Sequence, residues 1–167
     1  LADPYWPKKA MEGHPEDIVP CLRCSNCYHI SSDHWNVGCS VNPRYHHQEF
    51  VPSEINLPKA ETKKHVVILG GGPAGMKAAI TASDRGHKVT IIEKQKELGG
   101  MLRFISKEAH KEEVQRLLDY YLTQIFKREI EVLLNTEADP ELVKELQPDS
   151  LLIAFGAVER ILPIPGV

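Results

Sequence analysis

The segment His65-Val66-Val67-Ile68-Leu69-Gly70-Gly71-Gly72-Pro73-Ala74-Gly75-Met76 decides the fold. Its first five residues are a short apolar run bounded by glycines, the pattern of a parallel strand buried on both faces. From Met76 to Arg85 the chain carries Ala78, Ala79 and Ala82, which, with Ala74 before them, suit a helix lying close on a sheet; Gly86 ends it. Lys88-Val89-Thr90-Ile91-Ile92-Glu93 then reads as a second strand closed by an acid. Strand, glycine loop, helix and strand make one βαβ unit of about 30 residues.

The glycines follow the spacing Gly70-x-Gly72-x-x-Gly75. Alone this is a weak signal. Here it leaves a strand, opens a helix and has an acid 18 residues beyond its last glycine, which is the context of a dinucleotide fingerprint. Gly70 permits the tight turn, Gly72 lets backbone approach a pyrophosphate, and Gly75 lets the helix pack on the strand. The free N–H groups and dipole of the helix N-terminus favour an anion there. Glu93 can accept from ribose hydroxyls, which favours a ribose without a phosphate. The expected ligand is an adenine nucleotide or dinucleotide; the competing reading is a glycine-rich turn that binds nothing. Gly99-Gly100 comes soon afterwards and either meets the cofactor a second time or is a plain turn.

The later elements continue the alternation. Lys111 to Arg128 places Val114, Leu117, Leu118, Tyr121, Leu122, Ile125 and Phe126 at helical spacing, a packing face rather than chemistry. Ile130–Leu134 reads as a strand, Pro140–Leu146 as a short helix with proline at its start, and Ser150–Gly156 as another buried strand. The fold class is α/β, a doubly wound Rossmann-like layer. No nucleophile–base arrangement emerges, and no catalytic residue is assigned.

Upstream, all four cysteines lie in 19 residues as Cys21-x2-Cys24-x2-Cys27-x11-Cys39. Four thiolates are the usual ligands of a 4Fe–4S cluster. Zinc normally takes two separated pairs, whereas here three thiols share their middle member. Zinc remains the second reading; disulfides would need a secreted protein. His29 and His34 lie inside the loop, solvated or beside the ligands rather than among them. Arg23 either offsets cluster charge or is an ordinary exposed arginine.

The division expected is 1–20, an arm that does not fold alone, with Tyr5 and Trp6 packing on something; 21–45, the cluster loop; 46–64, a proline- and charge-rich linker; and 65–167, the nucleotide-binding part. A net charge of −3 with mixed signs favours no nucleic-acid partner. No apolar run reaches the ~20 residues of a membrane span, and residues 1–4 are not a signal peptide. A reducing cytoplasm suits intact thiolates. The first residue is not Met, and Pro163-Ile164-Pro165-Gly166 reads as a connector, so a piece of a longer polypeptide is expected.

In combination, the cysteine loop with Asn42-Pro43-Arg44, the glycine fingerprint, Gly99-Gly100, Ala154-Phe155-Gly156 and Pro163-Ile164-Pro165-Gly166 follow one order. That order resembles the NADH:flavin oxidoreductases related to 2,4-dienoyl-CoA reductase, 2-enoate reductase and trimethylamine dehydrogenase, over essentially the whole chain. The resemblance implies a glutathione-reductase-type nucleotide-binding fold beside an iron–sulfur loop. Cys21, Cys24, Cys27 and Cys39 would hold the 4Fe–4S cluster. Gly70, Gly72 and Gly75 would cradle the pyrophosphate of FAD (or ADP), and Glu93 would bind its ribose. Gly99 and Gly100 would line the cofactor, Ala138 would touch the adenine through its backbone, and Ala154 and Gly156 would close the site. Pro73, Ala74, Lys94 and Met101 complete the candidate set.

The resemblance further implies an FMN-bearing barrel whose exit is Leu1-Ala2-Asp3-Pro4, an NAD(P)H-binding domain after Gly166, and a homo-oligomeric whole enzyme. Electrons would pass from NAD(P)H to FAD to 4Fe–4S to FMN and reduce an activated C=C bond; this span alone would turn over no substrate. A second reading reverses the flow, with amine oxidation and ADP in the nucleotide site. A third is a zinc-stapled nucleotide-binding module without redox chemistry. Two positions depart from the family pattern. Two residues, not three, separate Cys24 from Cys27, and Phe155 stands where the family usually carries threonine.

Overall fold

The computed structural model describes residues 1–28, 38–157 and 164. His29 and His34, and the connector residues Pro163, Pro165 and Gly166, lie outside the described residues.

The centre is a parallel sheet of four strands in the order β3-β2-β1-β4. β1 is His65–Leu69, β2 Lys88–Ile92, β3 Ile130–Leu133 and β4 Ser150–Ile153. Registers run Val67 to Thr90, Thr90 to Glu131 and Val67 to Leu151. The helices are α1 (Trp6–Met11), α2 (Pro73–Asp84), α3 (Leu102–Ile105), α4 (Glu112–Phe126) and α5 (Pro140–Leu146). Sequence periodicity anticipates the α/β layer, with ends shifted by a few residues. It misses α3, a single turn too short to show a period.

Side chains of a strand alternate between faces, and β1 and β2 are apolar on both. Ile68, Val89 and Ile91 face α2 and α4 and join Met76, Ala79, Ile80, Leu117, Leu118, Tyr121 and Ile125 in the larger core. Val67, Leu69 and Ile92 face the other way, onto Leu142, Val143 and Leu146 of α5. The α5 start is fixed by its cap: Asp139 Oδ1 accepts from Leu142 N–H at 2.8 Å.

β4 corrects one expectation. Its apolar composition reads as a buried strand, yet all four of its residues are exposed, Leu151 at 44% and Ile153 at 66%. The reason is position. β4 pairs only with β1, and among the described residues nothing pairs with its outer edge.

The first 20 residues are strapped to the layer. Asp3 is 4% exposed, and its carboxylate accepts from Tyr5 N–H, Lys9 Nζ and Val19 N–H at 2.8, 2.7 and 2.9 Å. Val19 and Val41 enter the larger core. Lys127, beyond the end of α4, pairs with Glu16 and Asp17 at 2.8 and 2.7 Å. Tyr5 bonds Ser53 through its hydroxyl, whereas Trp6 stays exposed. Residues 46–64 hold no helix or strand, but they run along α2: Lys77 pairs with Glu54, and Ala60 N–H reaches Arg85 O.

Candidate functional site

The carboxyl ends of parallel strands are where open α/β sheets take ligands, at the point where strand order reverses. Here β2 and β3 lie on one side of β1 and β4 on the other, so that point falls between β1 and β4. Gly70 leaves β1 there and Ala154 leaves β4. Ala154 N–H donates to Leu69 O at 2.8 Å.

The three fingerprint glycines are needed for different reasons. Gly70 has φ +106°, and a Cβ on it would strike the Ala154 carbonyl. A Cβ on Gly75 would strike the Gly70 carbonyl oxygen, so its absence lets α2 descend onto the loop. Gly72 is the opposite case: nothing lies within 4 Å of where its Cβ would stand. It is the N-cap of α2, and no side chain caps that end. The orphan N–H groups of the first turn therefore face open space floored by backbone. Pro73 at the first helical position forfeits an N–H that has no partner in any case.

Glu93 is 7% exposed and occupied. Its Oε2 accepts from Gly71 N–H at 2.7 Å and its Oε1 from Gln95 N–H at 2.8 Å. The acid at the end of β2 thus holds the glycine loop in shape. Sequence reasoning expects the acid to meet a ribose but misses this role in the loop, because Gly71 is the variable position of the fingerprint.

The second glycine pair meets the first. Gly99 N–H donates to Gly71 O at 2.8 Å, and a Cβ on Gly100 would lie 3.0 Å from Gly72 Cα. Two backbones close on one another where the pyrophosphate is expected. Met101 is 61% exposed beside them, and Lys94 and Ala74 are exposed. Ala138 packs half-buried on the Val67–Leu69–Ile92 cluster. Gly156, φ +76°, lies in open space beyond β4.

The four cysteines are free thiols, Cys21 and Cys24 exposed, Cys27 and Cys39 half-buried. Arg23 and Ser25 take φ of +50° and +59°. Left-handed residues among right-handed ones turn backbone N–H groups inward and make anion nests of the kind found at Fe–S sites. Arg23 N–H donates to Cys21 Sγ at 3.4 Å, and the Ser40 hydroxyl lies 3.3 Å from Cys24 Sγ. Ser40, then the Asn26 backbone, hold the Cys24 thiol below its ordinary range, toward the thiolate form. Asn26 Nδ2 donates to Gly38 O at 3.2 Å and ties the ends of the loop together. The Arg23 guanidinium pairs with Glu113, 8% exposed, in the first turn of α4. The donor set and its N–H partners fit a negatively charged cluster, and the open glycine floor fits a dinucleotide.

Residues 64–167 match the family described as pyridine nucleotide-disulphide oxidoreductase. The chain is 40% identical over 166 residues to an NADH oxidase of Thermoanaerobacter brockii, covering 98% of this chain and 25% of that protein. It is 38% identical over 167 residues to a cinnamate reductase of Clostridium sporogenes, covering 99% and 24%. Among solved structures, a 2-naphthoyl-CoA reductase superposes with TM-score 0.90 at 40% identity, over 99% of this chain and 25% of that one. A histamine dehydrogenase from Rhizobium sp. 4-9 gives 0.85 at 28% identity, over 96% and 25%. The chain spans about a quarter of the length of these relatives, which are longer oxidoreductases of the 2-enoate reductase and trimethylamine dehydrogenase type. Among the described residues no helix is long and apolar enough to cross a membrane. By its Rossmann-like layer, its glycine fingerprint and its match over residues 64–167, the chain belongs to the pyridine nucleotide-disulphide oxidoreductase family of flavoproteins.

Proposed function

We propose that this chain is the electron-transfer portion of an iron–sulfur flavoenzyme that reduces an activated C=C bond with electrons from NAD(P)H. The observation that carries the reading is the side-chain-free floor where Gly72 and Gly100 meet at the N-terminus of α2. Gly70, Gly72, Pro73, Ala74 and Gly75 would hold the FAD pyrophosphate, with Gly99, Gly100 and Met101 on the facing side. Glu93 and Lys94 would take its ribose, Ala138 its adenine, and Ala154 and Gly156 the far edge. Cys21, Cys24, Cys27 and Cys39 would hold a 4Fe–4S cluster. When bound, these groups supply hydride acceptance from a pyridine nucleotide and one-electron transfer toward FMN in a barrel domain of the same polypeptide. The protein's part is to bind and orient them: Glu93 pre-shapes the loop, and Asn26 and the Arg23–Glu113 pair fix the cysteine loop against α4.

The spacing Cys21-x2-Cys24-x2-Cys27-x11-Cys39 supports a cluster over zinc, because three thiols share their middle member where zinc normally takes two separated pairs. Identities of 40% and 38% to the NADH oxidase and the cinnamate reductase, against 28% to the histamine dehydrogenase, support reduction over amine oxidation.

The test uses the full-length protein purified without oxygen. Nucleotides are released by heat and identified by mass spectrometry, and iron and acid-labile sulfide are counted. FAD with FMN, iron and sulfide is the expected result. ADP with FMN and no FAD would overturn the reading in favour of the amine dehydrogenase one. Zinc without sulfide would overturn it in favour of a redox-silent module.

A further inference from the structure

We propose that the Ser40 hydroxyl donates a hydrogen bond to the Cys24 sulfur of the bound cluster and raises the cluster's reduction potential. This rests on the 4Fe–4S reading above. Ser40 Oγ stands 3.3 Å from Cys24 Sγ. In the free thiol either atom could supply the hydrogen. A ligating thiolate has none, so the hydroxyl becomes the donor. Its place is set by the scaffold on both sides. Ser40 follows Cys39, itself packed on the larger core, and precedes Val41, 8% exposed within that core. Asn26, between Cys24 and Cys27, holds Gly38 at 3.2 Å. Ser40 is exposed, but its backbone is anchored on both sides, which keeps the hydroxyl within reach of the Cys24 sulfur.

A donor on a ligand sulfur withdraws electron density from the cluster and favours its reduced, more negative form. The other donors to these sulfurs among the described residues are backbone N–H groups, that of Arg23 on Cys21 and that of Asn26 on Cys24, which no side-chain change removes. Ser40 is thus the replaceable half of the arrangement, and a positioning residue that acts through Cys24.

The experiment is a redox titration of the full-length, cluster-loaded protein, followed by electron paramagnetic resonance, for wild type, Ser40→Ala, Ser40→Thr and Ser40→Val. Iron and sulfide are counted in each. The expected result is a midpoint shifted to more negative potential in Ala and Val, with wild-type behaviour in Thr. The nearly isosteric Thr and Val pair isolates the hydroxyl should the Ala variant lose iron. Equal midpoints in all four proteins overturn the inference. Loss of iron and sulfide from both hydroxyl-free variants, with wild-type content in Thr, also overturns it and leaves Ser40 a purely structural role. Zinc without sulfide in the wild type overturns the cluster reading itself, and is told apart by that analysis.

Discussion

The Glu93 carboxylate accepts the Gly71 N–H at 2.7 Å, so the acid that ends β2 props the loop that ends β1. Its other oxygen takes Gln95 N–H. Glu93→Ala orphans two donors, one of them buried. At roughly 1.5–3 kcal/mol per bond to a charged group, the two bonds together give an expected loss of about 3–6 kcal/mol. Urea unfolding with an unchanged m value measures it. Glu93→Gln keeps one acceptor and falls between. A wild-type midpoint in Glu93→Ala would refute the propping role.

Two glycines three positions apart should behave in opposite ways. Gly75→Ala drives a methyl into the Gly70 carbonyl and costs about 1–3 kcal/mol as overpacking. Gly72 has φ −72°, ψ −176° and open space at its Cβ position. Gly72→Ala should be neutral, or up to about 1 kcal/mol stabilising through the unfolded chain. It should nonetheless purify with less bound nucleotide, because the methyl stands on the floor of the site. Thermal melts and nucleotide content, measured together, separate the two effects.

Asp3 collects three donors from residues 5, 9 and 19 while almost fully buried. Asp3→Ala strands those donors and unties the first 20 residues, at about 2–4 kcal/mol. Hydrogen exchange should show the amides of residues 1–20 opening while those of β1 and β2 stay protected. Equal loss of protection throughout would mean that the strap and the sheet are one cooperative unit.

Burial alone would raise the Asp17 carboxyl. Hydrogen bonds from Lys127 and Gln124 outweigh it and hold the group below its usual range. A carboxyl depressed in the folded state stabilises fully above its unfolded value, about pH 4, and the contribution fades as pH falls through the folded value. The stability advantage of wild type over Asp17→Asn should therefore be present at pH 6 and shrink by pH 3. An advantage independent of pH would mean that the contact is packing rather than charge.

The βαβ unit is readable because each local signal agrees with the fold: apolar run, glycine spacing, alanine-rich helix, terminal acid. At the candidate site, Gly70 leaves β1 beside Ala154 and Glu93 bonds the glycine loop at Gly71. What escapes is pairing between side chains and distant backbone. Nothing local says that Glu93 bonds Gly71, that Arg23 leaves the cysteines for Glu113, or that Ser40 lies on Cys24. Residues 46–64 lack any period, so the sequence reads a linker and does not show that Glu54, Pro58 and Ala60 run along α2. β4 misleads for a related reason: composition reports that Leu151, Leu152 and Ile153 want cover, not whether cover is present.

That uncovered strand carries a practical consequence. Among the described residues its outer edge pairs with nothing, and Leu151, Leu152, Ile153 and Phe155 lie exposed along it. Such an edge is a template for any passing strand, and identical molecules are the commonest passers-by in a concentrated sample. Residues 1–167 produced alone should tend to stick to themselves. A charged residue set into this row, as in Leu151→Lys, should keep residues 1–167 monodisperse without touching the glycine floor.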